Sequence, residues 1–156
     1  MTTLLILNDP PYGTERSYNA LRLARSLVGR EGESVWVFLV GDAAACAKSG
    51  QKTPQGFYNI EFMIRSVTRR GGTIGVCGTC MDARGIGDDE LAEDCHRGTM
   101  DVLTDWTIQA DRVSSSDPTR RNTLTIATVG SERLGSDRPS TVPFLQSVNA
   151  FPTGGN

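Results

Sequence analysis

Apolar residues in the first two thirds of the chain follow two rhythms. Residues 3–7 (TLLIL), 34–40 (SVWVFLV) and 73–77 (TIGVC) are near-continuous apolar runs of strand length. Unbroken runs, rather than alternation, are what strands covered on both faces of a parallel sheet require. Between them the spacing changes to three and four: Ala20, Leu23, Ala24 and Leu27 within residues 15–28, then Ile60, Met63, Ile64 and Val67 within residues 59–70. Each set predicts an amphipathic helix with one face on the sheet. Asn8-Asp9-Pro10-Pro11-Tyr12-Gly13 closes the first strand, and Gly71-Gly72 stops the second helix. Residues 42–48 (DAAACAK) predict a turn of helix, and SGQKTPQGF after it a loop. Asp88 suits the N-cap of a helix starting near Asp89 and running or breaking around Gly98-Thr99; Thr99 can cap another through Val102, Leu103, Trp106 and Ile108 to Ala110.

Alternating strands and helices imply an α/β domain, its parallel sheet covered on both faces and joined by right-handed crossovers. Ligands and reactive groups in such sheets lie beyond the carboxyl ends of the strands. Three loops meet that condition: residues 8–15, 41–51 and 75–85. From Ser114 the character changes to a segment dominated by Ser, Thr, Pro, Gly and Asn, in which only residues 123–129 (TLTIATV) have strand character. The expected organisation is a domain over 1–113 followed by a divergent segment, 114–156. Either the 123–129 strand completes the sheet or the segment is poorly ordered.

Composition narrows the functional classes. The 156 residues carry 16 Lys and Arg against 18 Asp and Glu, and beyond Arg69-Arg70 and Arg120-Arg121 no basic run stands out. That balance argues against a nucleic-acid partner, because phosphate binding calls for a basic stripe. The N-terminal apolar run is only five residues long, too short for a signal sequence or a membrane span, so the expectation is a cytoplasmic protein with no membrane association. The four cysteines, Cys46, Cys77, Cys80 and Cys95, are then expected to be reduced.

Cys77 and Cys80 form a Cys-x-x-Cys pair at the end of the third strand, in GVCGTCMDARG. A closed zinc site needs four ligands. Only Cys95 and His96 are candidates for the other two, and as neighbours on a helix they would diverge by about 100°; no metal is expected. A dithiol redox pair fits the spacing, although Gly85 and Gly87 leave room for only a turn or two of helix after it. A nucleophilic thiolate that accepts and passes on a group also fits. At a strand end the N–H groups of Gly78, Thr79 and Cys80 can point at the Cys77 sulfur, and Arg84 can add positive charge. The remaining reading is a non-catalytic oligomeric binding or regulatory domain in which the two cysteines sense redox state or merely pack as small residues.

Four separated stretches, LLILNDPPYGTERSYNALRLA, VFLVGDAAACAKSGQ, GVCGTCMDARGI and TMDVLTDWTIQAD, together resemble the DsrE/DsrF-like (TusD-type sulfur-relay) family over residues 3–113. The resemblance implies a flavodoxin-like three-layer sandwich with a mainly parallel sheet of about five strands. It also implies a persulfide carried on Cys77, with sulfur donor and acceptor proteins or small persulfides as partners, assembly as a homotrimer or hexamer, and no cofactor. Cys80 is a second cysteine that many relay members lack and a candidate for resolving the persulfide. One departure stands out. After WTIQADRV the family pattern calls for a short apolar strand, but the sequence reads Ser114-Ser115-Ser116-Asp117. The expectation is that this strand is missing or replaced by residues 123–129.

Other conspicuous residues have plain readings. Asp9 and Asp42 follow strands at the site-bearing edge, where each can orient a partner or merely close a turn. Cys46, among alanines, reads as a small residue packed against the sheet. His96 reads as a solvated residue of a polar stretch, and Trp106 as core or subunit interface.

Overall fold

The computed structural model describes residues 1–116 and, as backbone, residues 124–128. Its strands are β1 (Thr2–Leu7), β2 (Ser34–Leu39), β3 (Thr73–Cys77), β4 (Cys95–Gly98), β5 (Arg112–Ser116) and β6 (Leu124–Thr128), and its helices α1 (Arg16–Leu27), α2 (Ile60–Thr68), α3 (Gly78–Asp82) and α4 (Met100–Gln109). Short 3-10 helices occupy Gly41–Ala47 and Asp88–Glu90. The sheet order is β4-β3-β2-β1-β5-β6, with every pairing parallel except that of β5 with β6.

This order dictates the layers. From β1 to β4 the chain steps in one direction across the sheet; it then returns to the far side of β1 for β5. Right-handed crossovers put the helices of the outward steps on one face and that of the return step on the other. The core divides accordingly. Leu5, Leu7, Val37, Ile74 and Val76 pack with Leu21, Ala24, Ile64 and Met81 on the α1–α2–α3 side, whereas Leu4, Phe38, Cys77 and Val113 pack with Leu103 on the α4 side. The result is the expected flavodoxin-like α/β sandwich, with five parallel strands and one antiparallel strand at an edge.

Caps explain the helix starts. Asn59 accepts the Phe62 N–H at 3.0 Å to open α2, and Thr99 accepts the Val102 N–H at 3.3 Å to open α4. No helix among the described residues is long and apolar enough to cross a membrane.

Two expectations are corrected. The helix expected from Asp89 is one turn of 3-10 helix, and the stretch after it is edge strand β4, parallel to β3, with Ile74 opposite Cys95 and Cys77 opposite Gly98. Cys95 and His96 therefore alternate across a strand, one buried and one exposed, which separates them for a different reason from the one assumed. Nor is the strand after Asp111 missing. Arg112–Ser116 pairs with β1 through Leu4↔Val113 and Leu5↔Ser114, and with β6 on its other side. Ser116 is accommodated by Asn8: Ser116 Oγ accepts the Asn8 N–H at 3.1 Å and Asn8 Nδ2 donates to the Ser116 carbonyl at 3.0 Å, whereas the buried Ser114 Oγ has no partner among the described residues. The strand expected over 123–129 is present at 124–128. Residues 117–123 and 129–156 lie outside the described residues.

Candidate functional site

Strand β3 lies between β2 and β4, so the chain leaving it at Cys77 must rise over the carboxyl edge of the sheet. It does so through α3. Met81 is fully buried and anchors that helix, and Gly85, at φ 62°, ends the turn that follows and lets Ile86 N–H close back on the Met81 carbonyl at 3.0 Å. Cys77 thus stands at the N-cap of α3, where N–H groups have no helical partner. Its side chain is on the α4 face, 5% exposed, with Sγ 3.2 Å from Thr79 Oγ1.

Burial is the largest single influence on the Cys77 thiol and pushes its pKa up. Hydrogen bonds from the Cys80 thiol, the Thr79 hydroxyl and the Cys80 and Thr79 amides outweigh it, and the thiol sits below its ordinary value. Cys80 moves the opposite way. Burial and the hydrogen bond given to Cys77 raise its pKa, against the opposing pull of the Gly41 N–H and the Arg84 charge. One thiol of the pair is therefore primed as a thiolate and the other held as its protonated neighbour.

The turn after β2 completes the site. Gly41 N–H donates to Cys80 Sγ at 3.1 Å from a left-handed conformation, φ 57°, that a side chain would strain. Arg84 gives Asp42 Oδ1 two hydrogen bonds, 2.6 Å from Nη2 and 3.2 Å from Nε, and reaches the Cys80 carbonyl at 3.0 Å from Nη1. Asp42 and Arg84 thus tie the β2 turn to α3. The Arg84 charge acts on Cys80; it is not among the influences on Cys77. Thr79 and Cys80 supply the amide donors expected near Cys77, while Gly78 provides space.

That space is set by a residue the sequence reading passed over. Arg97, on β4, lies across Gly78, where a Cβ would stand 2.8 Å from Arg97 Nη1. The guanidinium bonds Asp82 at 2.9 Å and Asp88 at 2.7 Å, holding α3 against the edge strand. Nothing in the local sequence signalled this, because β4 was read as helix.

Asp9 belongs elsewhere. Its Oδ1 accepts from Arg16 Nη1 at 3.0 Å and its carbonyl from Ser17 Oγ at 2.7 Å, with Cys46 Sγ 3.7 Å from the same carbonyl. Cys46 is fully buried, and burial pushes its thiol up to about 12; Cys95 is likewise raised to about 12 by burial. His96 is exposed on β4. Among the described residues no three His, Cys, Asp or Glu side chains gather as metal ligands.

The model of the DsrE/DsrF-like family matches residues 1–114. The chain belongs to that family. Protein YchN of Escherichia coli K12 is 39% identical over 113 residues, which cover 70% of this chain and 94% of YchN. The uncharacterized protein MK0008 of Methanopyrus kandleri is 33% identical over 109 residues, covering 70% of this chain and 88% of its own. The crystal structure of E. coli YchN superposes with a TM-score of 0.69 at 36% identity, over 74% of this chain and all of that one. A protein of unknown function from Methanobacterium thermoautotrophicum, 13% identical with a TM-score of 0.58, shares the fold alone. The DsrE/DsrF-like match ends inside β5, so this domain includes the whole Cys77 turn.

Proposed function

We propose that this DsrE/DsrF-like protein is a sulfur-relay protein that carries sulfane sulfur as a persulfide on Cys77. The observation that carries the reading is the thiol at the end of β3, brought below its ordinary pKa by Thr79 and the first amides of α3. In the loading step the Cys77 thiolate attacks the outer sulfur of a donor persulfide, R–S–SH. The Cys77–sulfur bond forms as the donor S–S bond breaks, and the donor leaves as R–S⁻ with the electron pair. Delivery is the same displacement by an acceptor thiolate, which takes the outer sulfur and returns Cys77 as thiolate. Where no acceptor arrives, Cys80 gives up its proton to solvent and attacks Cys77 Sγ, forming the disulfide as the outer sulfur leaves as HS⁻; a thiol reductant resets the pair.

Assembly as a homotrimer or hexamer is part of this reading, with the α4 face as the contact. Only Leu103 of α4 is buried, Ile108 is 75% exposed, and Trp106 meets Trp36 tilted and Phe38 edge-on, at centroid distances of 5.4 and 5.7 Å, while remaining half-buried. Donor, acceptor and a cytoplasmic setting complete the proposal.

A dithiol redox role is the second reading, favoured by the opposite shifts of Cys77 and Cys80 within one turn of helix. Intact-protein mass spectrometry after exposure to polysulfide separates the two. Relay predicts a reducible gain of one sulfur in Cys80→Ser, where no resolving thiol remains, that is lost in Cys77→Ser. A loss of two hydrogens in the wild type, with no sulfur adduct in Cys80→Ser either, would transfer the assignment to redox chemistry.

A further inference from the structure

Arginines scattered in the sequence converge on the outer surface of α1 and α2. Two adjoining grooves, about 310 and 330 Å³, share Arg70. Arg22 and Arg25 line the first, Arg65 and Arg69 the second, and no carboxylate lines either. The arginines are placed by helical spacing: 22 and 25 are three apart on α1, 65 and 69 four apart along α2 and its C-cap, so each pair shares a face. Of these five arginines only Arg65 has a carboxylate partner among the described residues, Glu61 at 2.8 Å. Arg22 lies 5.6 Å over the Tyr18 ring, and Arg70 Nη1 reaches the Arg25 carbonyl at 3.5 Å. The Arg65 Nε is buried with no acceptor. Apolar surface accompanies the charge: Met63 forms part of the floor and Phe62, 60% exposed, part of the rim.

We infer that this surface docks a short acidic segment of a partner protein, one that carries aromatic or aliphatic side chains among its carboxylates. Arginine supplies fork-shaped donors that match carboxylates, and the exposed Phe62 with the half-buried Tyr18 offers apolar contact. The extent of the patch favours a short polypeptide over a nucleic acid. The nine residues of α2 span about 14 Å. Five of the chain's 16 Lys and Arg residues are in these grooves, which leaves the remainder of an already net-negative chain more acidic still. A long polyanion running past the patch meets that acidic surface, whereas a segment of a few carboxylates ends before it. Helices joining parallel strands run against them, so the Arg25 and Arg70 ends of α1 and α2 lie at the sheet edge opposite Cys77. Occupancy of the groove therefore leaves the cysteine turn open, and the inference stands independently of the sulfur chemistry.

The test is fluorescence anisotropy with a labelled glutamate-rich peptide containing tryptophan, titrated with the full chain, alongside a labelled thymidine oligonucleotide and inorganic phosphate as competitor. The peptide should bind, weaken with added salt, and bind about tenfold more weakly to Arg25→Glu/Arg70→Glu. Circular dichroism checks that variant's fold; Arg22→Gln, at an exposed position, gives a second reading if the double variant is unfolded. Alkylation of Cys77 should be unchanged in either folded variant. Equal peptide binding by wild type and variants overturns the inference, as does tighter binding of the oligonucleotide. Full displacement of the peptide by phosphate at equimolar carboxylate would reduce the site to one for small anions. A change in oligomer size on charge reversal, with no peptide binding, would assign the surface to copies of this chain instead.

Discussion

Two regions of this protein hold the same side chain in opposite states. At the carboxyl edge, Cys77 and Cys80 meet N–H groups that the turn leaves without helical partners, and the Cys77 thiol drops below its ordinary value. On the α1–α2 side, Cys46 and Cys95 are enclosed by aliphatic neighbours, and both rise to about 12. All four are free thiols, and Cys77, 5% exposed, shows no more surface than Cys95 at 8%, but Cys46 and Cys95 lie deeper among protein atoms. The difference is depth of burial together with the donors that face the sulfur: the Cys80 thiol, the Thr79 hydroxyl and two amides at Cys77, against deep burial that outweighs the Ser17 hydrogen bond at Cys46. Reactivity here is a property of the strand-to-helix turn, and deep burial suppresses it even where a donor is present.

The contrast can be tested at four strengths. The largest effect is in relative alkylation by iodoacetamide at pH 7, read by peptide mass spectrometry. Moving a thiol from 9.0 to about 12 lowers its thiolate fraction about a thousandfold, so Cys46 and Cys95 should stay unlabelled while Cys77 is consumed. Labelling of Cys46 at a rate comparable to Cys77 in the folded protein would break the comparison.

Next is the alkaline limb of stability. An unfolded Cys46 or Cys95 releases its proton near 9, and the folded one retains it until about 12. Unfolding therefore releases protons in that window. Stability is fully present below pH 9 and declines as pH rises toward 12, by on the order of 1 kcal/mol per pH unit per thiol. Urea midpoints at pH 8 and 10.5 should differ, and Cys46→Ala should flatten the slope.

A smaller effect is expected from Thr79→Val, which removes the hydroxyl 3.2 Å from Cys77 Sγ but leaves the amide donors. Alkylation of Cys77 at pH 7 should slow by roughly two- to fivefold as its titration moves up, an effect one neutral hydrogen bond can supply. Smallest is Asp42→Asn. The Asp42–Arg84 pair is largely exposed, so its loss should change stability by less than about 1 kcal/mol in a urea titration and leave Cys77 alkylation as it was.

Much of this fold was legible from pattern because its central strands and main helices bury what they repeat. TLLIL, SVWVFL and TIGVC are unbroken apolar runs in strands paired on both sides, and the α2 spacing matches its buried face, while in α1 Ala20 and Ala24 are buried beside Leu21, with Leu23 and Leu27 only partly so. Of the outer strands, β6 was legible as TLTIATV, but β4 and β5 were not. β4 reads CHRG, with only Cys95 and Gly98 buried, and a four-residue edge strand has too few positions for a period to show. β5 reads RVSSS, and the reason it is a strand lies in β1, β6 and Asn8, none of which is local to it. The same limit applied at the site. Cys77 and Cys80 were found because motif and strand end are both local, whereas Arg97 over Gly78 and Gly41 against Cys80 depend on contacts between different strands. Arg84 was correctly placed near the pair, but Asp42, from another loop, engages its guanidinium.

The central claim, that the turn after β3 brings the Cys77 thiol below its ordinary pKa, is tested most directly by the pH profile of its alkylation. Initial rates of iodoacetamide labelling of Cys77, followed from pH 5 to 11 in Cys80→Ala and in the wild type, give its titration midpoint. The account predicts a wild-type midpoint below the ordinary 9.0, moved upward in Cys80→Ala because the thiol donor is removed while the amides remain. A wild-type midpoint at or above 9.0 would contradict it.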